Sequence, residues 1–110
     1  MQIKNKLLIK VLLFLGLILF SLKVYADEFD ISATEIRIDK ENNIVTGIGS
    51  VEVIDKDGRI IKADKVIYER LKEFLSAEGS VNITDLDGNI LNSDKATYYK
   101  LNGIIISYNN

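Results

Sequence analysis

Apolar and polar residues alternate along most of the chain after residue 34, and this period of two is typical of half-buried β-strands. Residues 35–39 (EIRID) show the alternation clearly, and residues 43–54 continue it after a polar turn. Asp-Gly pairs at residues 57–58 and 87–88 lie between β-rich runs, where they favour tight hairpins with a positive φ. The pattern predicts an all-β chain of about seven to nine short strands.

The pattern repeats after thirty residues. Residues 47–66 read GIGSVEVIDKDGRIIKADKV, residues 77–96 read AEGSVNITDLDGNILNSDKA, and nine of the twenty aligned positions are identical. Gly49 and Gly79 occupy matching positions within a predicted strand, where glycine usually marks a bulge or a bend. Two bends in register predict a sheet that folds over on itself, giving a V-shaped antiparallel β-sandwich built from 30-residue repeats.

The apolar positions of one strand parity define the predicted interior of this sandwich. On alternation alone, such a face is the closed core of an ordinary β-sandwich. Its members are Ile36, Ile38, Val45, Val51, Val53, Ile61, Val66, Tyr68, Leu75, Val81, Ile83 and Leu91.

The third copy of the repeat, from Ser93 onward, is incomplete and lacks the Gly-Ser-Val of the earlier copies. A unit that stops part-way leaves an edge strand whose backbone groups lack a partner, and such an edge invites pairing with another chain. The apolar run of this copy is either the last strand of the core or an assembly edge, and both interpretations stay open. The run consists of Ile104, Ile105 and Ile106.

The first 26 residues have the organisation of a secretory signal peptide. Residues 1–10 hold three lysines and no acid, residues 11–22 are apolar, and Val24 and Ala26 form a small-x-small cleavage site before Asp27. An uncleaved membrane anchor is the alternative, although a spanning helix needs roughly 20 apolar residues. The expected organisation is a signal over residues 1–26 and an exported β-domain over residues 27–110.

The composition argues against an enzyme. The chain has no Cys and no His, which removes thiol nucleophiles, disulfides, Ser-His-Asp triads and imidazole metal sites. Residues 27–110 carry ten basic and sixteen acidic side chains, a formal charge of −6, whereas nucleic acid selects a basic surface. A non-catalytic protein without a cofactor and without a nucleic-acid partner is expected.

Residues 55–58 and 85–88 are the most site-like carboxylate clusters. A calcium-binding EF-hand loop needs a further ligand before its glycine and a glutamate after it, and both copies lack them. Turn chemistry is therefore favoured over weak Ca²⁺ binding.

The Asp-Lys pairs at 64–65 and 94–95 are not expected to form an acid–base site, because adjacent strand residues point to opposite faces. Hydrogen bonding to the backbone at a corner is expected instead.

A family resemblance rests on three motifs that follow one another in the expected order after the signal. Over about residues 29–106 the chain resembles the OstA-like (organic solvent tolerance-like N-terminal) domain of the lipopolysaccharide transport periplasmic protein family. The cassette that contains Gly-x-Val-x-Val and Asp-Gly is its most specific part and occurs twice. The motifs are Ala33-x-x-Ile36-x-Ile38-Asp39, Val45-Thr46-Gly47-x-Gly49-x-Val51-x-Val53 and Ile61-x-Ala63-Asp64-x-Val66-x-Tyr68.

The resemblance implies an open β-jellyroll whose interior groove holds the acyl chains of lipid A. On this basis the twelve interior residues become candidate lipid-binding residues, and residues 104–106 become a candidate edge for joining other β-jellyroll transport proteins head to tail. The resemblance also implies a periplasmic protein acting in outer-membrane assembly, with an outer-membrane barrel as a further candidate partner. Two alternatives remain: a membrane-anchored member of the same complex, and a structural β-module that assembles through its edge strands.

Overall fold

The computed structural model describes residues 21–108, which form one antiparallel sheet of eight strands. The all-β prediction is confirmed, and a short 3₁₀ turn at Arg70–Lys72 is the one helical segment within this range. The strands are β1 Leu22–Ala26, β2 Phe29–Ala33, β3 Glu35–Asp39, β4 Ile44–Asp55, β5 Ile60–Glu69, β6 Phe74–Thr84, β7 Ile90–Tyr99 and β8 Ile104–Tyr108.

The strands follow the order β1-β2-β4-β5-β6-β7-β8, and β3 pairs with β4 alone. Strand β4 changes neighbours along its length, because β3 pairs with residues 44–48 whereas β2 pairs with residues 52–55. Strand β8 pairs with residues 95–99 of β7. The long strands β4 to β7 are therefore shared by two half-sheets. The first half-sheet holds β1, β2 and residues 51–55, 60–63, 81–84 and 90–93, and the second holds β3, β8 and residues 44–48, 65–69, 74–78 and 95–99.

The half-sheets meet at bends in β4 and β6. Gly49 and Ser50 have φ values of 84° and 45°, and Gly79 and Ser80 have almost the same values, 82° and 46°. The pairing register shifts at both places, as expected when a bulge inserts an extra residue and kinks the strand. A positive φ is uncommon for a residue other than glycine, so each bend also holds a serine in a disfavoured conformation.

Contacts between aromatic rings show that the sheet folds over at these bends. Phe29 lies beside Asp55 in the sheet, and Tyr68 lies beside Val45. Asp55 follows Val45 by ten positions in β4, so a straight strand would hold these two residues roughly 33 Å apart. The rings of Phe29 and Tyr68 are nevertheless 4.9 Å apart. The two half-sheets therefore face each other in a sandwich-like arrangement.

The apolar side chains between the half-sheets form one buried cluster. Fully burying a large apolar side chain contributes about 1.5–3 kcal/mol, so this cluster is the main source of stability. Nine of the predicted interior residues belong to it: Val45, Val51, Val53, Ile61, Val66, Tyr68, Leu75, Val81 and Ile83. The prediction missed eight more: Ala26, Phe29, Ile31, Ala33, Ala63, Ala77, Ala96 and Tyr98.

Two of the predicted interior-face residues, Ile38 and Leu91, are exposed to solvent. Both lie on the interior face, opposite Val45 and Ile83 respectively, but 54% of Ile38 and 41% of Leu91 are exposed. Ile36 is half-buried against the cluster. Ile38 lies on β3 and Leu91 on the part of β7 that precedes its pairing with β8, so these positions are at the margins of the folded sheet.

The end of the predicted signal peptide forms a strand. Residues 22–26 pair with β2, from Leu22 opposite Ala33 to Ala26 opposite Phe29, and Ala26 is buried. The first twenty residues, which hold most of the apolar run of the predicted signal helix, lie outside the described residues. Between residues 21 and 108, no helix is long and apolar enough to cross a bilayer.

The bend at Gly79 gives a test with a built-in control. A Cβ at Gly79 would overlap the side chain of Asp64, whose Cβ and Cγ atoms lie 2.9 Å away, whereas a Cβ at Gly88 would meet nothing within 4 Å. Both glycines have a positive φ, so alanine costs about 1–2 kcal/mol of conformational strain at either position. Overpacking adds about 1–3 kcal/mol, and we expect it for Gly79→Ala only. Urea denaturation followed by circular dichroism measures the free energy of unfolding of each variant. Equal losses of stability in Gly79→Ala and Gly88→Ala would contradict the close contact at the bend.

Candidate functional site

The interior between the half-sheets is the candidate site, and protein side chains fill it. Val53 and Val66 have no exposed surface, and Ile83 retains 4%. Phe29 contacts Tyr68 and Tyr98 edge-on, with ring centroids 4.9 and 6.0 Å apart, which is a preferred geometry for aromatic pairs. Nine of the twelve predicted lipid-binding positions are thus brought together, in a closed arrangement.

The two half-sheets are offset along the strand order. Tyr98 of β7 packs on Phe29 of β2 instead of facing the first residues of its own strand. Because of this offset, the interior face continues past the buried cluster at two margins. Ile38 and Leu91 are exposed interior-facing side chains at these margins, and Leu22, which lies opposite the buried Ala33 on the edge strand β1, is a third.

Strand β8 combines the two interpretations that the sequence left open. Ile105 lies opposite Tyr98 and is packed against the buried cluster, so it belongs to the core side of the sheet. Ile104 and Ile106 alternate with it and are exposed. Ser93 ties the end of the strand to β7, because its hydroxyl group accepts a hydrogen bond from the backbone N–H of Tyr108 at 3.1 Å. The strand is thus a core element and also carries exposed isoleucines.

The carboxylate clusters at residues 55–58 and 85–88 organise their own turns. The Oδ1 atom of Asp55 accepts hydrogen bonds from the backbone N–H groups of Asp57 and Arg59 at 3.0 and 2.8 Å. Asp85 accepts the equivalent bonds, both at 2.9 Å. Gly58 and Gly88 then take a positive φ, which gives a three-residue hairpin loop with a type I turn and a glycine bulge. The turn interpretation of both clusters agrees with this geometry.

Asp55 also belongs to a network that joins the two half-sheets. The guanidinium Nη1 atom of Arg59 donates to the hydroxyl oxygen of Tyr98 at 2.6 Å, and that hydroxyl group donates to Oδ2 of Asp55 at 3.4 Å. The Nζ atom of Lys100 forms ion pairs with Oδ2 of Asp57 at 3.2 Å and with Oε2 of Glu28 at 3.5 Å. Burial lowers the pKa of Lys100, but the hydrogen bond with Asp57 and the interaction with Tyr98 outweigh it, so the net direction is upward.

Asp27 makes a second connection between the half-sheets. It accepts hydrogen bonds from the Tyr68 hydroxyl group at 3.1 Å and from Nε and Nη2 of Arg70 at 3.3 and 3.2 Å. The hydrogen bonding by Arg70 holds the pKa of Asp27 below its ordinary value, against an opposing effect of burial, and Tyr68 adds to the lowering. Burial, followed by the hydrogen bond with Asp27, raises the pKa of Tyr68.

These residues form what we call the polar rim. Its members come from turns and strand ends far from the bends. The first half-sheet contributes Asp27, Glu28, Asp55, Asp57 and Arg59, and the second contributes Tyr68, Arg70, Tyr98 and Lys100.

The sequence prediction missed the polar rim as a unit. One signal was available, because Lys40, Arg70 and Lys100 recur at an interval of thirty residues, each at the start of a turn. Across residues 21–108, no group of three or more acidic side chains is placed to hold a metal ion.

No protein-family model matches this chain, and a search of curated proteins found no match. The resemblance to the OstA-like domain therefore rests on the sequence motifs alone.

The lowered pKa of Asp27 predicts a pH-dependent contribution to stability. A carboxylate whose pKa is depressed by folding stabilises the protein above its unfolded pKa, about 3.9, and loses this contribution as the pH falls through the folded value. The pair with Arg70 is partly exposed, so we expect Asp27→Asn to cost less than about 1 kcal/mol at neutral pH. The loss should disappear in acid, when wild type and variant are compared by urea denaturation. Asp87→Asn, in an exposed turn, is the control, and a loss at Asp27 that persists unchanged in acid would contradict the interpretation.

Proposed function

We propose that this chain is a non-catalytic module that binds the acyl chains of lipopolysaccharide in the periplasm and passes them along a row of β-jellyroll partners. In this proposal the folded sheet is an open β-jellyroll, and its interior face is the lipid-binding surface. The sequence motifs support the assignment to outer-membrane assembly, and the predicted signal peptide supports the periplasmic location. A retained N-terminal segment would make the same module membrane-associated.

The offset between the half-sheets is the observation that carries this proposal. The interior face reaches solvent at Ile38 and at Leu91, where 54% and 41% of the side chains are exposed. Ile38 lies on β3, at one end of the second half-sheet. Leu91 lies on β7, at the opposite end of the first half-sheet. A second module placed against either margin would extend the apolar face from one protein to the next.

Transfer along such a row requires no chemical step. Each methylene group of an acyl chain that leaves water contributes about 0.8 kcal/mol, so a continuous apolar face supplies the binding energy by itself. Neighbouring modules with similar faces bind the lipid with similar affinity, and the lipid can move between them without a large barrier. An outer-membrane barrel that carries a related domain would be a suitable receiver at the end of the row.

A photo-crosslinking residue at Leu91 tests lipid binding directly. Leu91 is exposed, so the replacement leaves the buried cluster intact, and it lies on the interior face opposite Ile83. Asn92 is the matched control, because its side chain bonds to that of Asn82 at 2.8 Å on the opposite face. We expect lipopolysaccharide adducts in cells from position 91 and not from position 92. Equal labelling, or none from either position, would contradict the proposal.

A structural module that assembles through its edge is the second candidate function, favoured by the filled interior and by the exposed Ile104 and Ile106 on β8. A lysine on an edge strand opposes pairing with another chain. This function predicts that the mass measured by light scattering rises with protein concentration and that Ile106→Lys suppresses the rise. Leu86→Lys, in an exposed turn, is the control. A constant monomer mass for the unmodified protein would contradict assembly through β8.

A further inference from the structure

The half-sheets are connected in two different ways at their two ends. At the bends the backbone itself links them, through Gly49–Ser50 in β4 and Gly79–Ser80 in β6. At the polar rim, the contacts that join them are made by side chains of residues about forty positions apart in the chain. The bends thus form a hinge line, and the polar rim lies where the half-sheets would separate.

We propose that the polar rim is a latch that holds the half-sheets closed over the apolar interior and must open before a lipid can enter. This inference rests on the proposed function. In the closed state, protein side chains such as Ile83, which is 4% exposed, occupy the interior face that an acyl chain would contact. Parting of the half-sheets at the rim exposes the interior face while the sheet hydrogen bonds within each half remain paired.

The contacts of the latch are of a kind that can break and re-form. The Asp27–Arg70 pair is partly exposed, with 35% and 45% of the two side chains accessible, and Asp57 at the Lys100 contact is also mostly exposed. Exposed ion pairs are weak and are screened by salt. The more buried contact of Arg59 with Tyr98 and Asp55 gives the closed state its specific geometry. These contacts therefore fix how the half-sheets meet at the rim, whereas the buried cluster supplies most of the free energy of closure.

A reversible cross-link across the rim tests the inference. Lys56 and Leu101 are exposed, lie on opposite sides of the rim next to Asp57 and Lys100, and are not among the contacts of the latch. The chain has no cysteine of its own, so Lys56→Cys with Leu101→Cys provides a unique pair for a short, reducible bifunctional thiol reagent. Lys56→Cys with Leu86→Cys is the control, because both positions lie on turns of the first half-sheet.

The first readout is uptake of a neutral monoacylglycerol with a fluorescent acyl chain. Binding scales with the fraction of the protein in the open state, so we expect the 56–101 cross-link to slow uptake by roughly tenfold or more and reduction of the reagent to restore it. The 56–86 cross-link should leave the rate unchanged. Uptake at the same rate in the 56–101 cross-linked and reduced protein would overturn the inference.

The second readout needs no lipid. Spin labels on the cysteines at 56 and 101 report the distance across the rim, and we expect Arg59→Gln combined with Arg70→Gln to add a population at longer distance. A distance distribution that does not change in this variant would overturn the latch. If the longer population appears but neither variant nor wild type takes up the lipid, the latch stands and the proposed lipid-binding function fails.

Discussion

A sheet with one apolar face must bury that face against a second layer, and in this chain the second layer is the other half of the same sheet. Folding the sheet requires two bends in register, and each bend places a glycine and a serine at positive φ. The strain at Ser50 and Ser80 costs about 1–2 kcal/mol per residue. Burial of one large side chain such as Phe29 or Tyr68 offsets a cost of this size, so the fold depends on closing the interior.

The repeat explains why the two bends match. Thr34 and Asp64 are thirty residues apart, and each lies over the glycine that follows fifteen residues later, Gly49 and Gly79 respectively. Any larger residue at these glycines would push the covering side chain away. The recurrence of glycine in the sequence therefore records a local steric requirement of the folded sheet.

Local pattern predicted the strands from residue 35 onward and nine of the seventeen buried apolar residues, because side-chain alternation is a property of a single strand. It did not predict β1 and β2, which supply four of the buried residues that were missed. It could not predict that Ile38 and Leu91 are exposed, since their burial depends on the offset between half-sheets and not on strand parity. The segment Leu22–Ala26 fits two local patterns, the end of a signal peptide and an edge strand, and the tertiary pairing with Phe29–Ala33 decides its structure.

The polar rim was not predictable from local pattern for a related reason. Its contacts join Asp27 to Arg70 and Arg59 to Tyr98, residues separated by 43 and 39 positions. The recurrence of Arg70 and Lys100 after thirty residues marks two members of the rim but does not indicate their partners. Turn chemistry at Asp55 was visible in the sequence, but its contact with Tyr98 follows only from the folding of the sheet.

The facing of the two half-sheets is the claim on which the interior, the polar rim and the proposed function all depend. Nuclear Overhauser effects between the ring protons of Phe29 and those of Tyr68 and Tyr98 measure it most directly in solution. The structure places these ring centroids 4.9 and 6.0 Å apart, so cross-peaks between Phe29 and both tyrosines are expected. Intact strand pairing without these ring contacts would mean that the sheet is open, and the account would be wrong.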